Sequence, residues 1–313
     1  MKTTKLRWVI VSLVAVATVI NYIDRGALAV MWPAISDDLG LTKDDYAIII
    51  NVFILAYAFG QSLFGKIMDW IGVRLGFVLA IGVWSLATVL HAVASSLLTF
   101  SIFRGILGVA EAGNWPGATK ANAVWFPIKE RAFAQSIFNS GAAIGGFVSA
   151  PIVGLLFVFM GSWQATFIII GVLGLLWLIP WLIIYKSGPE SHPWLAEEER
   201  QYILTGQRNA ETDAVAEYAP TTGEILSRKE SWGVILASFF LDPIWWLFVS
   251  WLPLYLNETY GFGVAEIAKY AAVPYVGGMF GAWFGGLLAQ NLSLIHISEP
   301  TRPPVASRMP SSA

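Results

Sequence analysis

Residues 100–120 read FSIFRGILGVAEAGNWPGATK, an apolar stretch that carries two opposite charges. Arg104 and Glu111 are seven positions apart, about two helical turns, so both side chains project from the same face of a helix. A charged side chain at the centre of a bilayer costs about 2.5–3.5 kcal/mol or more, so each requires a partner or a water-filled cavity. We predict a membrane-spanning helix here, with its charges facing a polar path.

A second charged set interrupts the first apolar run, where residues 21–25 read NYIDR. Asp24 and Arg25 would meet the same cost inside a bilayer. Two acid–base sets on separate apolar helices are typical of a membrane protein with a polar path through it. We expect these ionisable side chains to point into a shared aqueous cleft.

The composition of the 313-residue chain is that of a polytopic membrane protein. Hydrophobic residues make up 56 % and charged residues 13 %, against roughly 25 % charged in soluble domains. The chain has no cysteine and three histidines, which excludes disulfides and thiolate nucleophiles and argues against a metal site. No catalytic triad pattern or phosphate-binding loop is present, so we predict no enzyme activity, no catalytic residue and no cofactor.

Eight apolar segments are long enough to span a bilayer. They cover about residues 8–30, 46–66, 75–94, 97–119, 133–159, 164–185, 232–256 and 264–290. The spans predict an all-α membrane protein, with a six-helix bundle in residues 1–185 and two helices of a second bundle in residues 232–290. We interpret the polar residues 186–231 between them as a solvated linker.

The positive charges give the expected orientation, because cytoplasmic loops of membrane proteins carry an excess of Lys and Arg. Lys2, Lys5 and Arg7 precede the first span, and Lys66 and Arg74 lie between the second and third. Later loops of the same set carry further basic residues, whereas the opposite loops carry almost none. We therefore expect the N-terminus and the linker to be cytoplasmic.

The sequence after about residue 290 departs from this pattern. Residues 292–302 read LSLIHISEPTR and precede a tail rich in Pro and Ser. This segment resembles a translated sequencing adapter, so we interpret residues 291–313 as non-native and the reading frame as truncated. A genuine disordered tail is the alternative.

Residues 65–74, between the second and third spans, read GKIMDWIGVR. They resemble the G-x3-D-x2-G-x-R loop of the major facilitator superfamily, with Gly65, Asp69, Gly72 and Arg74 at the matching positions. The resemblance implies a gating motif at the cytoplasmic rim, in which the glycines permit tight turning and close packing while the Asp and Arg form a charged latch. The residue after Asp69 departs from the family pattern, since it is Trp where a basic residue is common.

Together with NYxDR in the first span and RGxxGxxEA in the fourth, this loop resembles the anion:cation symporter branch of the superfamily. Three further segments are similar to bacterial hexuronate transporters: WFPIKERAFAQSIFNSG at 125–141, SWQATFIIIG at 162–171 and EEERQYILTGQ at 197–207. Family members have twelve helices, so the resemblance implies a truncated major facilitator fold with about eight of the twelve. Inverted three-helix repeats would make helices one and four symmetry mates, which accounts for their matching charges.

A hexuronate offers one carboxylate and several hydroxyl groups, so the resemblance implies a site with cations and uncharged polar groups. Arg25 and Arg104 are the candidate cations, since a guanidinium stays charged and can bind a carboxylate with two hydrogen bonds. Tyr57 and Gln61, one turn apart, and Asn139 are candidates for the hydroxyls. Each could instead be structural, the arginines in permanent ion pairs with nearby acids and the uncharged groups in interhelical hydrogen bonds.

The seventh predicted span adds further candidates for the substrate site. Asp242 has no evident charged partner, and the Pro243 that follows it frees backbone carbonyls. Trp245, with Trp246 and Trp251, could stack on the sugar ring, although tryptophans in membrane helices more often act as interface anchors. We predict Asp242 and Trp245 as substrate-binding residues.

Asp24 and Glu111 are the candidates for proton coupling. Burial penalises an ionised carboxylate unless an arginine stabilises it. We hypothesise that ionised Glu111 competes for Arg104, and that protonation of Glu111 releases this arginine to the carboxylate of the substrate. The sequence leaves open which of the two acids carries the coupled proton.

The favoured function is proton-coupled symport of glucuronate or galacturonate across the bacterial inner membrane, by a monomer. The alternatives are symport of another organic anion, such as an aldonate or aldarate, and a sugar-acid sensor on the same fold that does not transport. The expected partners are a sugar acid, a proton and the lipid bilayer, with no nucleic acid.

Overall fold

The computed structural model describes residues 5–213 and 221–277, and within these ranges every regular element is a helix. In the described ranges the helices are α1 (Leu6–Leu39), α2 (Lys43–His91), α3 (Leu97–Glu111), α4 (Asn114–Trp125), α5 (Ile128–Met160), α6 (Trp163–Ile184), α7 (Glu197–Asp213), α8 (Thr222–Ser227), α9 (Lys229–Ser250), α10 (Leu252–Tyr260) and α11 (Val264–Tyr270), and residues 273–277 are also helical. Five apolar stretches in the described ranges are long enough to cross a membrane: Leu6–Leu39, Lys43–His91, Ile128–Met160, Trp163–Ile184 and Ser231–Ser250.

The second and third predicted spans are the two arms of α2. The 49 residues of this element would be about 74 Å long if straight, more than two bilayer cores, so the chain must reverse within it. It does so at Gly72, whose φ of 77° and ψ of 168° leave the helical region. A side chain is strongly disfavoured at such angles, which explains a glycine at this turn.

The fourth predicted span is divided into α3 and α4 by a short interruption at Ala112 and Gly113. Pro116 has no N–H to donate to the carbonyl of residue 112, four positions earlier, so the helical ladder is broken there. The two intervening residues keep right-handed helical angles, and the chain continues in nearly the same direction. A Cβ on Gly113 would lie only 2.7 Å from the ring of Phe64 and 2.8 Å from Ala80, so this break is closely packed against both arms of α2.

Helix α5 packs along α1 through its small residues. A Cβ on Gly141 would lie 2.6 Å from the carbonyl oxygen of Ala15, and a Cβ on Gly145 would lie 2.9 Å from that of Val19. Such close approach of two backbones is how membrane helices associate when lipid offers no hydrophobic gradient. The glycines of α5 therefore set the distance from the charged first helix.

Two apolar clusters fill the six-helix bundle, one above the other. The cluster in the half that contains the chain's N-terminus includes Phe77, Trp84, Trp125, Phe126, Trp177 and Trp181. The cluster in the opposite half includes Trp32, Tyr46, Phe100, Trp163 and Phe167. The charged residues of α1 and α3 lie between these clusters, at mid-height of the bundle.

The linker is not wholly solvated, because its first part packs against the bundle. Leu195 and Ile203 are buried in the same cluster as Trp125 and Tyr185. The side-chain amide of Gln207 donates to the carbonyls of Ala123 and Val124 at the end of α4, at 3.3 and 2.9 Å. The expectation of a solvated connector is therefore wrong for the face of α7 that packs on the bundle, since its apolar side chains find a matching surface.

Helix α7 also caps the first membrane helix. The carboxylate of Glu199 accepts from the backbone N–H groups of Leu6 and Arg7 at 3.1 and 3.4 Å. The same carboxylate accepts from Nη1 of Arg7 at 2.7 Å, and Nε of Arg7 donates to Glu130 at 2.9 Å. A negative charge at a helix N-terminus satisfies free N–H groups and complements the helix dipole.

The second unit comprises α9, α10 and α11, and it contacts the six-helix bundle mainly in the half opposite the N-terminus. Nζ of Lys43 lies 2.5 Å from a carboxylate oxygen of Glu258, and the hydroxyl of Tyr46 donates to the carbonyl of Ser250. Residues 235–244 of α9, towards the N-terminal half, are exposed. The predicted span at 232–256 is interrupted at Trp251, where α10 begins. Residues 278–290 of the eighth predicted span and the tail at 291–313 lie outside the described residues.

Candidate functional site

A buried ion pair joins the first and fourth spans at the centre of the bundle. Nη2 and Nε of Arg25 donate to Oε2 of Glu111 at 3.0 and 3.2 Å. Asn21, one turn earlier on α1, accepts from Nη2 of Arg25 at 3.1 Å. Arg25 is 5 % exposed and Glu111 is fully buried, so this pair is sealed from solvent.

Glu111 therefore pairs with Arg25 on the neighbouring helix and not with Arg104 on its own. The hypothesis that Glu111 holds Arg104 is wrong in its partner. Seven residues of helix separate the backbones of Arg104 and Glu111 by about 10 Å along the axis, whereas Nη2 of Arg25 lies 3.0 Å from Oε2 of Glu111. Hydropathy and residue spacing predict which residues share one face of a helix. They do not predict the axial offset between neighbouring helices, which decides the ion-pair partner.

Arg104 is the second buried cation, and its hydrogen-bonding capacity is mostly unused. Nη2 donates to the backbone carbonyl of Arg25 at 3.1 Å, and the guanidinium lies 4.9 Å from the ring centre of Phe53. Within the described residues, Nε and Nη1 of Arg104 have no hydrogen-bond partner although the residue is only 1 % exposed. Buried donors of this kind are costly to leave unpaired, so Arg104 is suited to an anionic ligand.

Asp24 occupies a different environment from Glu111. Its Oδ2 lies 2.5 Å from the hydroxyl of Thr88 on the second arm of α2, while its Oδ1 has no partner in the described part of the chain. Thr88 also lies 3.0 Å from the carbonyl of Trp84. Sequence reasoning missed Thr88, since a threonine inside an apolar helix carries no motif of its own.

Within the described part of the chain, the charges that were expected to line a shared aqueous cleft are buried in this conformation. Arg25, Asp24, Arg104 and Glu111 all point inward and lie within one cluster, but all are at most 5 % exposed. The two apolar clusters and the second unit cover the set from both sides. The structure therefore represents a closed state of the charged centre.

Four aromatic rings surround the guanidinium of Arg25. The carbon Cζ lies 4.9 Å from the ring centre of Tyr57, 5.0 Å from Tyr22, 5.1 Å from Trp246 and 5.7 Å from Phe53. Of these, Tyr57 was predicted from the sequence as a substrate-binding residue. Aromatic faces carry partial negative charge and attract a cation, so the rings stabilise a charged Arg25 that is buried from solvent.

The remaining predicted polar residues of the first bundle lie farther from this centre. Gln61 is one turn beyond Tyr57 and is half-buried. Asn139 is exposed and lies two turns before Gly146, where a Cβ would touch the ring of Tyr275 at 2.4 Å. Asn139 thus lies on the side of α5 that faces the second unit.

The two predicted substrate-binding residues of α9 differ in their surroundings. Asp242 is exposed. Trp245 packs edge-to-face on Tyr22 and on Tyr275, with ring centres 6.1 and 5.5 Å apart. Its neighbour Trp246, and not Trp245, is the tryptophan whose ring lies over Arg25.

A second pair of hydrogen-bonded polar residues, which the sequence did not single out, lies next to the ion pair, on the side nearer the start of α1. The side-chain amide of Asn114 donates to the hydroxyl of Thr18 at 3.1 Å. Asn114 and Asn21 are fully buried, and each retains an amide atom without a partner in the described residues. Asn114 follows Glu111 by three positions and Thr18 precedes Asn21 by three, and this spacing is the signal that could have identified them.

The four residues of the predicted gating motif serve different contacts. Asp69 accepts from Nζ of Lys120 on α4 at 2.7 Å, and Arg74 donates to the carbonyl of Leu182 at the end of α6 at 3.1 Å. Gly72 makes the turn, but Gly65 lies within a helical arm with open space around it. The expected close packing at Gly65 is therefore absent. Asp69 and Arg74 bind neighbouring helices of the same bundle.

The described residues contain no group of three or more His, Cys, Asp or Glu side chains placed to hold a metal ion. The chemistry of the centre is that of two guanidinium groups, two carboxylates and their neutral neighbours. Such a set can bind an anion and exchange a proton.

Residues 14–298 match the Major Facilitator Superfamily, so the chain belongs to this family of membrane transporters. It is 35 % identical over 287 residues to the hexuronate transporter of Escherichia coli K12, covering 92 % of this chain and 66 % of that protein. It is also 35 % identical over 287 residues to the galacturonate transporter of Dickeya chrysanthemi, of which it covers 82 %. The chain thus spans just under two thirds of the length of the hexuronate transporter.

The fold has a counterpart among solved structures. A bacterial homologue of the human lysosomal transporter Spinster, crystallised in an inward-facing and unoccupied conformation, matches with a TM-score of 0.73 and 20 % identity, covering 93 % of this chain and 64 % of that one. Family membership confirms the predicted helical membrane fold, the resemblance to hexuronate transporters and the assignment to transporters and not to enzymes.

Proposed function

We propose that the protein is a secondary transporter that carries a hexuronate, glucuronate or galacturonate, together with a proton across the inner membrane of a bacterium. The proposal draws its substrate class from the relatives that transport hexuronate and galacturonate. It draws its chemistry from the buried centre of α1, α2 and α3. Within this proposal, residues 1–185 and 232–290 belong to two bundles that rock against each other around the centre.

The observation that carries the proposal is the state of Arg104. This arginine is buried against the ring of Phe53, and its Nε and Nη1 are unpaired in the described residues. A substrate carboxylate would accept from one of these nitrogens and from the second N–H of Nη2, in the two-pronged geometry that arginine favours. Arg25 is already occupied by Glu111, so Arg104 is the available cation for an incoming acid.

The Arg25–Glu111 pair supplies the coupling step. A proton on Glu111 removes the charge that holds Arg25 and leaves a second guanidinium free for the substrate anion. One proton and one hexuronate monoanion then enter the site together without adding net charge. Asp24, held by Thr88, is the second candidate for the proton, and Tyr57, Gln61, Asn139, Asp242 and Trp245 are proposed to complete the site when it opens.

Uptake of labelled glucuronate and galacturonate tests the proposal directly. The protein, at the full length of its transporter relatives, is reconstituted into proteoliposomes with and without an inward proton gradient. We expect accumulation above the equilibrium level only with the gradient. Accumulation that ignores the gradient would contradict proton coupling, and absence of both uptake and binding would contradict the substrate class.

Two alternatives have support of their own. The chain is also 32 % identical to a probable sulfoacetate transporter of Cupriavidus necator and to a probable L-galactonate transporter of Escherichia coli K12, which favours another organic anion as the second candidate. Competition of labelled glucuronate by galactonate, galactarate and sulfoacetate separates these substrates. A sensor that does not transport would bind the sugar acid but show no flux in the same vesicles.

The cytoplasmic position of the N-terminus and of α7 is part of the proposal, and the absence of native cysteines makes it easy to test. Single cysteines are introduced at Gln201 on α7 and at Asp44 at the start of α2, both exposed. We expect a membrane-impermeant thiol reagent added outside intact cells to label Asp44→Cys and not Gln201→Cys. The reverse pattern would invert the orientation. The mass of the detergent-solubilised particle tests the monomer.

A further inference from the structure

Trp246 is the contact between the second unit and the charged centre. It lies on α9, three residues after Pro243, and its ring lies 5.1 Å from Cζ of Arg25. It also packs edge-to-face on Phe53 and Tyr57, with ring centres 6.2 and 6.0 Å apart. Tyr57, Phe53 and Tyr22, the other rings around Arg25, belong to the six-helix bundle and stay with Arg25 wherever the second unit moves.

The ring of Trp246 stabilises the charge of Arg25 most strongly when Glu111 is neutral. With Glu111 ionised, the carboxylate balances the charge of Arg25 at 3.0 Å. With Glu111 protonated, Arg25 remains charged and buried, and the aromatic faces become its main favourable neighbours. Tryptophan attracts a cation more strongly than tyrosine or phenylalanine does, so the ring supplied by α9 is the strongest of the four.

We infer that Trp246 is a positioning residue that stabilises the charged, unpaired Arg25 and thereby links the proton on Glu111 to the position of the second unit. This inference rests on the proposed function. When α9 packs on the first bundle, the fourth ring is present and protonation of Glu111 is favoured. When α9 moves away, Arg25 loses that ring and returns to Glu111 as a carboxylate. The contact makes the proton load depend on the conformation.

The other titratable groups around the pair belong to the first bundle or to the segment after α11. They are Asp24 and Tyr22 on α1, Tyr57 on α2, Arg104 on α3 and Tyr275. Of these groups, Tyr57 is the one whose ring Trp246 touches, so Trp246→Phe, which keeps a ring against Tyr57, controls for a change in its packing.

The test compares Trp246→Leu and Trp246→Phe with a matched control, Trp251→Leu. Trp251 also joins the two units through an aromatic contact, with its ring centre 5.4 Å from that of Tyr46, but its ring does not lie over Arg25. Binding of labelled glucuronate is measured from pH 5 to pH 8. All variants are first compared with the wild type for thermal unfolding in detergent.

We expect Trp246→Leu to move the pH midpoint of binding to lower pH by about half a unit to one unit, which weakens binding about three- to tenfold near neutral pH. Binding at the acid end of the titration, where Glu111 is protonated in both proteins, should stay within about twofold of the wild type. Trp246→Phe should restore most of the midpoint, and Trp251→Leu should leave it unchanged. An unchanged midpoint in Trp246→Leu, an equal shift in Trp251→Leu, or an equal loss of affinity at every pH would each overturn the inference. The last result would instead indicate stacking of the ring on the sugar.

A measurement without sugar separates this inference from the proposed substrate. Tryptophan emission is recorded across the same pH range, and the response of each variant is subtracted from that of the wild type. The Trp246→Phe variant should lose a pH-dependent component of the tryptophan emission that the Trp251→Phe variant keeps. A protein that binds no sugar acid but shows this component contradicts the proposed substrate and supports the role of Trp246. A protein that binds glucuronate without this component refutes the role and leaves the substrate proposal standing.

Discussion

Two arginines with the same chemistry have different roles because of their neighbours. Arg25 is neutralised by Glu111 and enclosed by four rings, whereas Arg104 has a single hydrogen bond to a backbone carbonyl. A buried guanidinium with unpaired donors is unfavourable, and an anion is the natural partner. This difference is the residue-scale basis of the proposed transport.

Arg104→Lys tests this difference. Lysine keeps the positive charge but cannot offer two parallel N–H donors to one carboxylate. We expect affinity for the sugar acid to fall about tenfold or more, which corresponds to about 1.4 kcal/mol, while the thermal stability changes little. Equilibrium binding of labelled glucuronate measures it. An affinity equal to that of the wild type would exclude Arg104 as the carboxylate ligand.

Glu111→Gln tests the coupling step. Glutamine resembles the protonated acid in shape and charge, so the variant should behave as if the proton were always bound. We expect exchange of internal and external glucuronate to continue, and accumulation driven by a proton gradient to disappear. Counterflow and gradient-driven uptake in the same vesicle preparation distinguish the two activities. Normal gradient-driven accumulation would refute the role of Glu111 and favour Asp24 as the residue that carries the coupled proton.

At the scale of elements, the loop motif is mainly a turn and a set of tethers within one bundle. Gly72 reverses α2, Asp69 is held by Lys120, and Arg74 holds the end of α6. The carbonyl of Arg74 also accepts from the indole of Trp181 at 3.1 Å. The gating role of this loop is a proposal. It would require Asp69 to exchange Lys120 for a partner on the second bundle.

Gly72→Ala should be costly, and Gly65→Ala is its matched control on the same element. An alanine at φ 77° and ψ 168° is strained by about 1–3 kcal/mol. At Gly65 the backbone is helical and a Cβ meets open space, so alanine should be neutral or stabilising by about 0.5–1 kcal/mol. Thermal unfolding in detergent compares the two. Equal unfolding temperatures of the two variants would show that the turn accommodates alanine without loss of stability.

The cap made by α7 should contribute substantially to the stability of the bundle. Glu199→Ala leaves two N–H groups of α1 and the guanidinium of Arg7 without that carboxylate, and we expect a loss of about 2 kcal/mol. Glu197→Ala is the control, since its ion pair with Arg200 is exposed and worth at most about 0.5 kcal/mol. Thermal unfolding again reports the difference. A small effect of Glu199→Ala would mean that α7 is only loosely attached.

His192, just after α6, should make this attachment sensitive to acid. Its Nδ1 accepts from the backbone N–H of Trp194 at 3.2 Å and its Nε2 donates to the carbonyl of Ile184 at 2.8 Å, an arrangement that only the neutral ring satisfies. Burial lowers the pKa of His192 below its ordinary value, and the charges of Lys186 and Arg200 lower it further.

A lowered histidine pKa means that the unfolded state binds the proton first, so this contribution to stability is complete above about pH 6.5 and is lost as the pH falls below it. We expect the unfolding temperature to fall between pH 7.5 and pH 5.5. The fall should be smaller in His192→Gln, which has no ring to protonate. An identical pH dependence in both proteins would show that other groups cause it.

At the scale of the whole molecule, the described contacts between the two units indicate a closed end and a free end. Lys43 meets Glu258 and Tyr46 meets Ser250 in the half opposite the N-terminus. The N-terminal half of α9 is exposed along residues 235–244. In the proposed orientation this arrangement closes the path towards the outside, and rocking of the units would have to break the contact at Lys43.

A cross-link across that contact should stop transport. Cysteines at Lys43 and Glu258, joined by a short bifunctional thiol reagent, would hold the outer ends together and prevent opening to the outside. Cysteines at Asn122 and Gln135, whose side chains are 3.3 Å apart within one bundle, are the control. We expect both pairs to cross-link on a gel, but only the first to block uptake. Full uptake by the cross-linked Lys43–Glu258 pair would exclude this opening motion.

The sequence alone determined the class of the protein. Long apolar runs, basic residues on alternate loops and three motifs were enough to predict a helical member of a transporter family and the charged residues at its centre. It also predicted that Arg25, Asp24, Arg104 and Glu111 point inward, because the bilayer penalises any other orientation. These features depend only on the chemistry and spacing of residues along one chain.

Only the tertiary structure decided which groups touch. It paired Glu111 with Arg25 and left Arg104 available, placed Trp246 over Arg25 with Trp245 to one side, and folded Glu199 onto the start of α1. It also brought Thr88, Thr18 and Asn114 to the charged centre. The physical reason is that such contacts depend on the rotation and axial offset of packed helices. Side-chain volumes and glycine positions across the whole bundle set these quantities, and hydropathy along one helix does not contain them.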